Sequence, residues 1–255
     1  VAAKLNQHAV NQQIETFLHQ MDRDGWQPSA EQKQFLLGYE GSGGLGSKGA
    51  TGEGLLHEYY TPAFVCELMW ELAKHYGFPA TGRVLEPGCA TGRLIAPAPD
   101  FTRCTGFEIN PTSARIAELA YPGLKVHTNY FETAFLQAPR YTQRLPKLGS
   151  WLEPFDLVIG NPPYGVYKNL YSSYFPEGKR LRQIDIFFTV MSLRLLKPGG
   201  LLVFITGSNF LRNGHSYQAA KEEMGQLADF VDAYRLPSVF ASTAVPTDIF
   251  ILRRK

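Results

Sequence analysis

The sequence has few cysteines, little excess charge of either sign, and no long apolar run. Cys66, Cys89 and Cys104 are the only three cysteines in 255 residues. So small and odd a number excludes a disulfide framework, and no Cys/His spacing matches a zinc site, so no metal is expected. No stretch approaches the roughly 20 apolar residues that span a bilayer, and the amino terminus has no signal-peptide pattern, so a reducing cytoplasm and no membrane partner are expected. Charged residues make up 19% of the chain and the formal net charge is +2. That balance does not point to nucleic acid by itself, so any such contact has to come from local patches. Two nucleotide signatures are absent as well. The glycine-rich run from Gly38 to Gly54 lacks the Lys and Ser/Thr ending of a P-loop, and the loop Gly88 to Gly92 lacks the third glycine of the dinucleotide fingerprint.

What is present is 44% hydrophobic and 13% aromatic residues, enough to bury the core of one α/β domain with an appendage. Val10, Ile14, Phe17, Leu18 and Met21 recur at helical spacing, which predicts a helix over residues 9–21. Ser29 and Gln32 form a capping-box pattern that opens a second helix. These two helices are expected to act as a lid or a brace, and the glycines after them as a flexible linker. With Val1 at its head, the chain reads as part of a longer one. The expected division is a helical extension and linker over 1–58, followed by a main domain over 59–255.

The most informative stretch is Asn161-Pro162-Pro163-Tyr164, which follows the apolar run Phe155 to Gly160. That run is short and β-branched and is bounded by prolines, so it reads as a buried strand that ends in a rigid turn. In open α/β sheets, ligands bind at the carboxyl edge of the strands. The tetrad suits methyl transfer to a planar amine. The lone pair of such a nitrogen is delocalised, and it attacks only when its hydrogens are held by acceptors that favour a pyramidal geometry. The Asn161 side-chain oxygen is one acceptor, and the Pro162 carbonyl is the natural second. Pro162 and Pro163 order the backbone before substrate arrives, and Tyr164 offers a face on which a flat base can stack.

The tetrad resembles the catalytic motif of the amino-methyltransferases that use S-adenosylmethionine, above all the DNA adenine methyltransferases of restriction-modification systems. The upstream sequence supplies a pocket in the matching order. Tyr60-Thr61-Pro62 is similar to the family's motif X, with Thr61 expected to cap a helix that begins at Pro62 and to present amides to the cofactor's carboxylate. A strand over residues 83–87 runs into Gly88-Cys89-Ala90-Thr91-Gly92, resembling motif I. There Glu86 can meet the cofactor's ammonium group, while Pro87, Gly88, Cys89, Ala90 and Gly92 let it approach the backbone. Glu108, about twenty residues on and at the end of the next strand, takes the ribose-hydroxyl position, with Ile109 against the adenine. The third strand ends at Asn129-Tyr130-Phe131, where the family usually has Asp-Phe. Phe131 fits the Phe, and either Asn129 or Tyr130 has to replace the Asp.

Residues 138–154 hold Arg140, Arg144 and Lys147, and residues 165–183 hold Lys168, Lys179, Arg180 and Arg182 interleaved with Tyr167, Tyr171, Tyr174 and Phe175. Such loops suit phosphate contact and base stacking. A helix is expected over 185–196, its Phe187 and Phe188 walling the pocket, then a stop at Lys197-Pro198-Gly199-Gly200 and a strand over 201–206. Further strands are expected over 230–236 and 247–252, and Phe250 is a candidate to stack on a flipped base, with half-buried core as the equal alternative.

Motif X ahead of motif I and the tetrad after both match the gamma group of amino-methyltransferases. The resemblance implies a Rossmann-like α/β fold, a mostly parallel seven-stranded sheet with an N-terminal helical extension. It also implies S-adenosylmethionine as cofactor, double-stranded DNA as partner, and a target-recognition domain or subunit beyond this chain. The alternatives are a protein glutamine methyltransferase, since a carboxamide poses the same problem to the same tetrad, and a cofactor- or DNA-binding module without activity.

Overall fold

The structure is a computed structural model that describes residues 7–40, 60–136, 154–166, 171, 175, 177, 180–207, 210–211, 217–239 and 246–255. Seven strands form one sheet: β1 (Val84–Glu86), β2 (Cys104–Glu108), β3 (Lys125–Thr128), β4 (Phe155–Gly160), β5 (Leu196–Gly207), β6 (Ala228–Arg235) and β7 (Thr247–Arg254). Their order is β3-β2-β1-β4-β5-β7-β6, with β7 antiparallel to both its neighbours and the rest parallel. The helices are α1 (Gln7–Asp24), α2 (Ala30–Leu36), α3 (Ala63–His75), α4 (Pro111–Ala120), α5 (Ile184–Leu193) and α6 (Gln218–Leu227).

Strand alternation sorts the core into two layers, because successive side chains leave a strand on opposite faces. Leu201, Val203, Ile205, Ile249 and Ile251 pack with Val65, Met69 and Trp70 of α3 on one face. Leu202, Phe204, Phe250 and Leu252 pack with Phe187, Val190 and Met191 of α5 on the other. Central strands covered on both sides need apolar residues throughout, which is why β4 and β5 read as near-continuous hydrophobic runs.

The N-terminal helices act as a brace. Ile14, Leu18, Met21 and Leu36 bury themselves against Ile116 and Leu119 of α4. Ser29 and Gln32 form the expected capping box, satisfying two end-of-helix donors reciprocally. Arg93, just after the glycine loop, donates to the Leu37 carbonyl at 3.0 Å and lies over the Tyr60 ring, its Cζ 4.7 Å from the centroid.

Two boundaries differ from the sequence reading. β5 begins at Leu196, because Phe155 pairs with Leu196 and Leu157 with Leu201, so Lys197 to Gly200 bulge out of the ladder and pairing resumes beyond them. Gly199 has φ 80, which suits glycine, and Lys197 closes the bulge with an ion pair to Asp156 at 2.9 Å. α3 begins at Ala63 with Pro62 as its cap residue, so Thr61 lies outside the helix and makes no side-chain cap bond. The run 41–54, Tyr59, residues 138–153 and most of 167–179, with Arg140, Arg144, Lys147, Tyr167, Lys168, Tyr174 and Lys179, lie outside the described residues.

Candidate active site

The strand order reverses between β1 and β4, since β1 continues outward through β2 and β4 through β5. Both candidate motifs leave the sheet at the carboxyl ends of these two strands, the place where α/β sheets open a crevice. The two loops touch. A Cβ placed on Gly160 would lie 3.5 Å from Pro87 Cδ, and one placed on Gly88 would lie 3.9 Å from Pro163 Cδ and 4.0 Å from Phe188 Cε1. The glycine turn after Glu86 and the tetrad therefore lie against one another.

Within the tetrad, the Asn161 side chain is held at both ends. Its Nδ2 donates to Thr61 Oγ1 at 3.2 Å, and its Oδ1 accepts from the Tyr164 hydroxyl at 3.0 Å. Pro162 is buried, whereas Asn161, Pro163 and Tyr164 are half-buried. No described residue donates a hydrogen bond to the Pro162 carbonyl. Downstream, Gly165 turns at φ 124, and its carbonyl accepts from Ile184 N at 3.0 Å, fastening the tetrad to the start of α5.

The glycine loop has the electrostatics of a cation site. Glu86 is 4% exposed, and its Oε2 is buried without a hydrogen-bond partner among the described residues. Burial raises its carboxyl well above the usual range, and the nearby Glu108 carboxylate pushes it the same way. Cys66 is pushed up to about 12, first by its own burial and then by the Glu86 charge, and Cys104 likewise. A buried acid so placed fits a bound ammonium group. Glu108 accepts from Ala90 N at 2.8 Å and from Asn110 N at 2.7 Å, tying the tip of the glycine loop to the start of α4. Ala90 carries φ 46, a left-handed conformation unusual for a side-chain-bearing residue. Cys89 packs on β2, where a Cβ on Gly106 would come within 2.6 Å of its Sγ. Ile109 is half-buried beside Glu108, open enough to meet a ligand.

Residues 104–236, just over half of the chain, match the family model described as Eco57I restriction-modification methylase. The chain belongs to this family. It is 30% identical over 234 residues to "Defense against restriction protein B" of Escherichia phage P1, covering 91% of this chain and 9% of that protein. It is 28% identical over 169 residues to a type II methyltransferase of Thermus thermophilus, covering 59% of this chain and 34% of that one. The chain thus spans between 9% and 34% of the length of these two curated relatives. A type I restriction-modification methyltransferase subunit from Streptococcus thermophilus shares the fold at a TM-score of 0.58 and 20% identity, covering 78% of this chain and 45% of that one. The fold is that of the class I S-adenosylmethionine-dependent methyltransferases, as expected from the motifs.

Burial and packing also correct several assignments. Phe250 is 1% exposed, paired with Phe204 across β5 and β7 and packed against Phe210, so a base has no access to its ring. Its place at the middle of a strand covered by α5 makes it core. Phe187 is 0% exposed and packs on Phe175. The helical turn of one residue instead brings Phe188 to the glycine loop. Tyr171 and Phe175, expected on a DNA-facing loop, are 4% and 5% exposed and join the same core. Arg180 is paired with Glu223, and Arg182 is exposed. Phe131 is 2% exposed, between Phe107 and Phe188, and so supports the pocket from beneath. Asn129 is exposed, and its side-chain oxygen accepts from Tyr130 N at 2.9 Å, whereas Tyr130 is half-buried against Tyr171. The contact of Thr61 with Asn161 is one that sequence reasoning missed. Thr61 was assigned to the cofactor as a helix cap, and only the fold brings it to Asn161.

Proposed function

We propose that this chain is the catalytic domain, spanning residues 59–255, of a DNA methyltransferase that modifies the exocyclic N6 amine of adenine, part of a larger restriction-modification or phage-defence protein. The observation that carries the reading is the Asn161 amide, fixed at the end of β4 beside the Pro162 carbonyl and against the Gly88 turn. The family supports methylation as the activity, and the likeness to the phage P1 protein supports the defence setting.

S-adenosylmethionine, when bound, supplies an electrophilic methyl group. Glu86 suits its ammonium, Glu108 its ribose hydroxyls, Ile109 its adenine, and the amide groups at the start of α3 after Tyr60, Thr61 and Pro62 its carboxylate. Cys89, Ala90 and Gly92 shape the loop around it, Phe131 supports the pocket from beneath, and Asn129 or Tyr130 takes the place of the family's usual Asp toward the adenine amine.

Asn161 Oδ1 and the Pro162 carbonyl accept the two hydrogens of the substrate amine, so the nitrogen lone pair is released from the ring and points at the methyl carbon. Tyr164 leaves Asn161 as the base enters and stacks on it. The base has to leave the duplex to reach this crevice, and stacking offsets part of an extrusion cost of a few kcal/mol. Double-stranded DNA is the substrate, and a target-recognition region outside this chain supplies the sequence preference.

The test is nucleoside mass spectrometry on mixed-sequence duplex DNA incubated with the protein and S-adenosylmethionine. New N6-methyladenine is expected, and Asn161→Ala is expected to lower it by roughly 100-fold or more, the scale of losing one preorganised donor or acceptor at a reacting group. Turnover by Asn161→Ala near that of the unmodified chain would sink the mechanism, and transfer to a glutamine-containing peptide in place of DNA would replace the substrate.

A further inference from the structure

We propose that Arg93 is a positioning residue that fixes Tyr60, just ahead of α3, onto the N-terminal brace and so makes the brace part of the cofactor site. The inference rests on the reading given above, in which Tyr60, Thr61 and Pro62 serve the carboxylate end of S-adenosylmethionine and Glu86 its ammonium. Arg93 directly follows Gly92, and its backbone is held from both sides. The Gly92 carbonyl accepts from Ile95 N at 2.9 Å and the Leu94 carbonyl from Trp70 Nε1 at 2.6 Å, while Leu94 and Ile95 are buried. From this fixed base the side chain reaches two segments that lie outside the sheet, the end of α2 and the entry to α3.

The guanidinium meets these segments in different ways. It lies over the Tyr60 ring, with Cζ 4.7 Å from the centroid, while Nη2 donates to the Leu37 carbonyl at 3.0 Å and pairs with Glu40 Oε1 at 3.5 Å. A planar, delocalised cation can stack on a ring and donate in its own plane at once, which a lysine ammonium cannot. Arg93 also continues the series of donors that closes α2. The Phe35 and Leu36 carbonyls accept from Gly38 N and Tyr39 N, each at 3.0 Å, and the Leu37 carbonyl accepts from Arg93. Glu40 is tied to α1 in turn, since Asn11 Nδ2 donates to its carbonyl at 2.5 Å and its own N donates to Asn11 Oδ1 at 3.2 Å. The neighbouring Tyr39 hydroxyl accepts from Asn110 Nδ2 at 3.5 Å, and Asn110 N donates to Glu108 at 2.7 Å. The same stretch of brace thus touches the residue ahead of α3 and the loop after Glu108. Whatever docking of the brace contributes to cofactor affinity, the cofactor returns to the docking of the brace by the same factor.

The experiment measures S-adenosylhomocysteine affinity by calorimetry for the unmodified chain, Arg93→Gln, Tyr60→Ala and the double variant. Beside it, mass spectrometry follows hydrogen exchange of residues 30–40 with and without that ligand. Arg93→Gln is expected to weaken binding roughly 5- to 50-fold, and the double variant to bind within about 3-fold of the weaker single variant, because both substitutions break one contact. The ligand is expected to slow exchange of residues 30–40 in the unmodified chain by a similar factor and to leave it unchanged in Arg93→Gln. Arg93→Lys is expected to bind within about 3-fold of Arg93→Gln, and it takes that variant's place in the cycle if thermal melts show that Arg93→Gln does not fold. Full recovery by lysine means that charge alone acts, which overturns the proposal. Losses that multiply in the double variant, or slowing of exchange that persists in Arg93→Gln, overturn it as well. Glu86→Gln separates this inference from the reading beneath it. Unchanged affinity in Glu86→Gln removes the cofactor assignment, whereas a weakened Glu86→Gln beside an unchanged Arg93→Gln removes the role of Arg93 alone.

Discussion

Replacing Glu86 with glutamine should separate the cost of a buried charge from its use. Glu86 is 4% exposed, its Oε2 lacks a partner among the described residues, and Glu108 adds like charge nearby. Its folded pKa lies above the ordinary value of 4.5, so the native state binds this proton more tightly than the unfolded chain. The stability it contributes is therefore complete below about pH 4.5 and is lost as pH rises through the folded value. A bound ammonium reverses the preference by favouring the ionised form. Cofactor binding should therefore release a proton at pH values below the folded pKa, and affinity should rise with pH through that window. A charge-assisted hydrogen bond contributes about 1.5–3 kcal/mol, so Glu86→Gln should weaken binding of S-adenosylhomocysteine roughly 10- to 150-fold. The same change should raise the melting temperature of the free protein at pH 8 more than at pH 5. Calorimetric titration in two buffers of different ionisation enthalpy measures affinity and proton release together. Equal affinity in both proteins, with no proton release in either, would refute the assignment of Glu86 to an ammonium group.

Two further substitutions probe the tetrad and the glycine turn. Tyr164→Phe removes a hydroxyl that occupies Asn161 Oδ1 at 3.0 Å but keeps the ring. A neutral hydrogen bond is worth about 0.5–1.5 kcal/mol, so the Phe variant should bind a flipped base up to roughly 10-fold more tightly, measured with 2-aminopurine fluorescence, and a weakening would contradict competition for that oxygen. Gly92→Ala should lower stability by about 2–3 kcal/mol in urea melts, because left-handed backbone costs an alanine about 1–2 kcal/mol and overpacking adds to it. Gly92 has φ 80, and a Cβ there would sit 2.8 Å from Tyr121 Cε2, so a loss below about 0.5 kcal/mol would mean that the loop relaxes freely.

The parts of the fold legible in the sequence are those set by local chemistry. Near-continuous apolar runs through Leu201 to Thr206 and Thr247 to Leu252 mark strands because both faces are covered. Ser29 with Gln32 marks a helix start because short polar side chains satisfy backbone donors left free there. Less legible were boundaries where tertiary pairing overrides a local stop signal. Lys197 to Gly200 contain a proline and two glycines, yet the pairing of Leu196 with Phe155 extends β5 back across them as a bulge.

The sequence by itself determined the strand that ends in Asn161-Pro162-Pro163-Tyr164, the glycine turn after Glu86, and the acid at Glu108, because each is a short pattern whose chemistry is contained in neighbouring residues. Only the tertiary structure decided which aromatics face a ligand and which fill the core. Phe187 and Phe188 are adjacent and equally hydrophobic, and their positions around α5 send the first into the interior and the second toward Gly88. It also decided that Thr61 holds Asn161. A hydrogen bond between residues 100 positions apart depends on where α3 and β4 come to rest in the packed sheet, and local sequence pattern does not encode that distance.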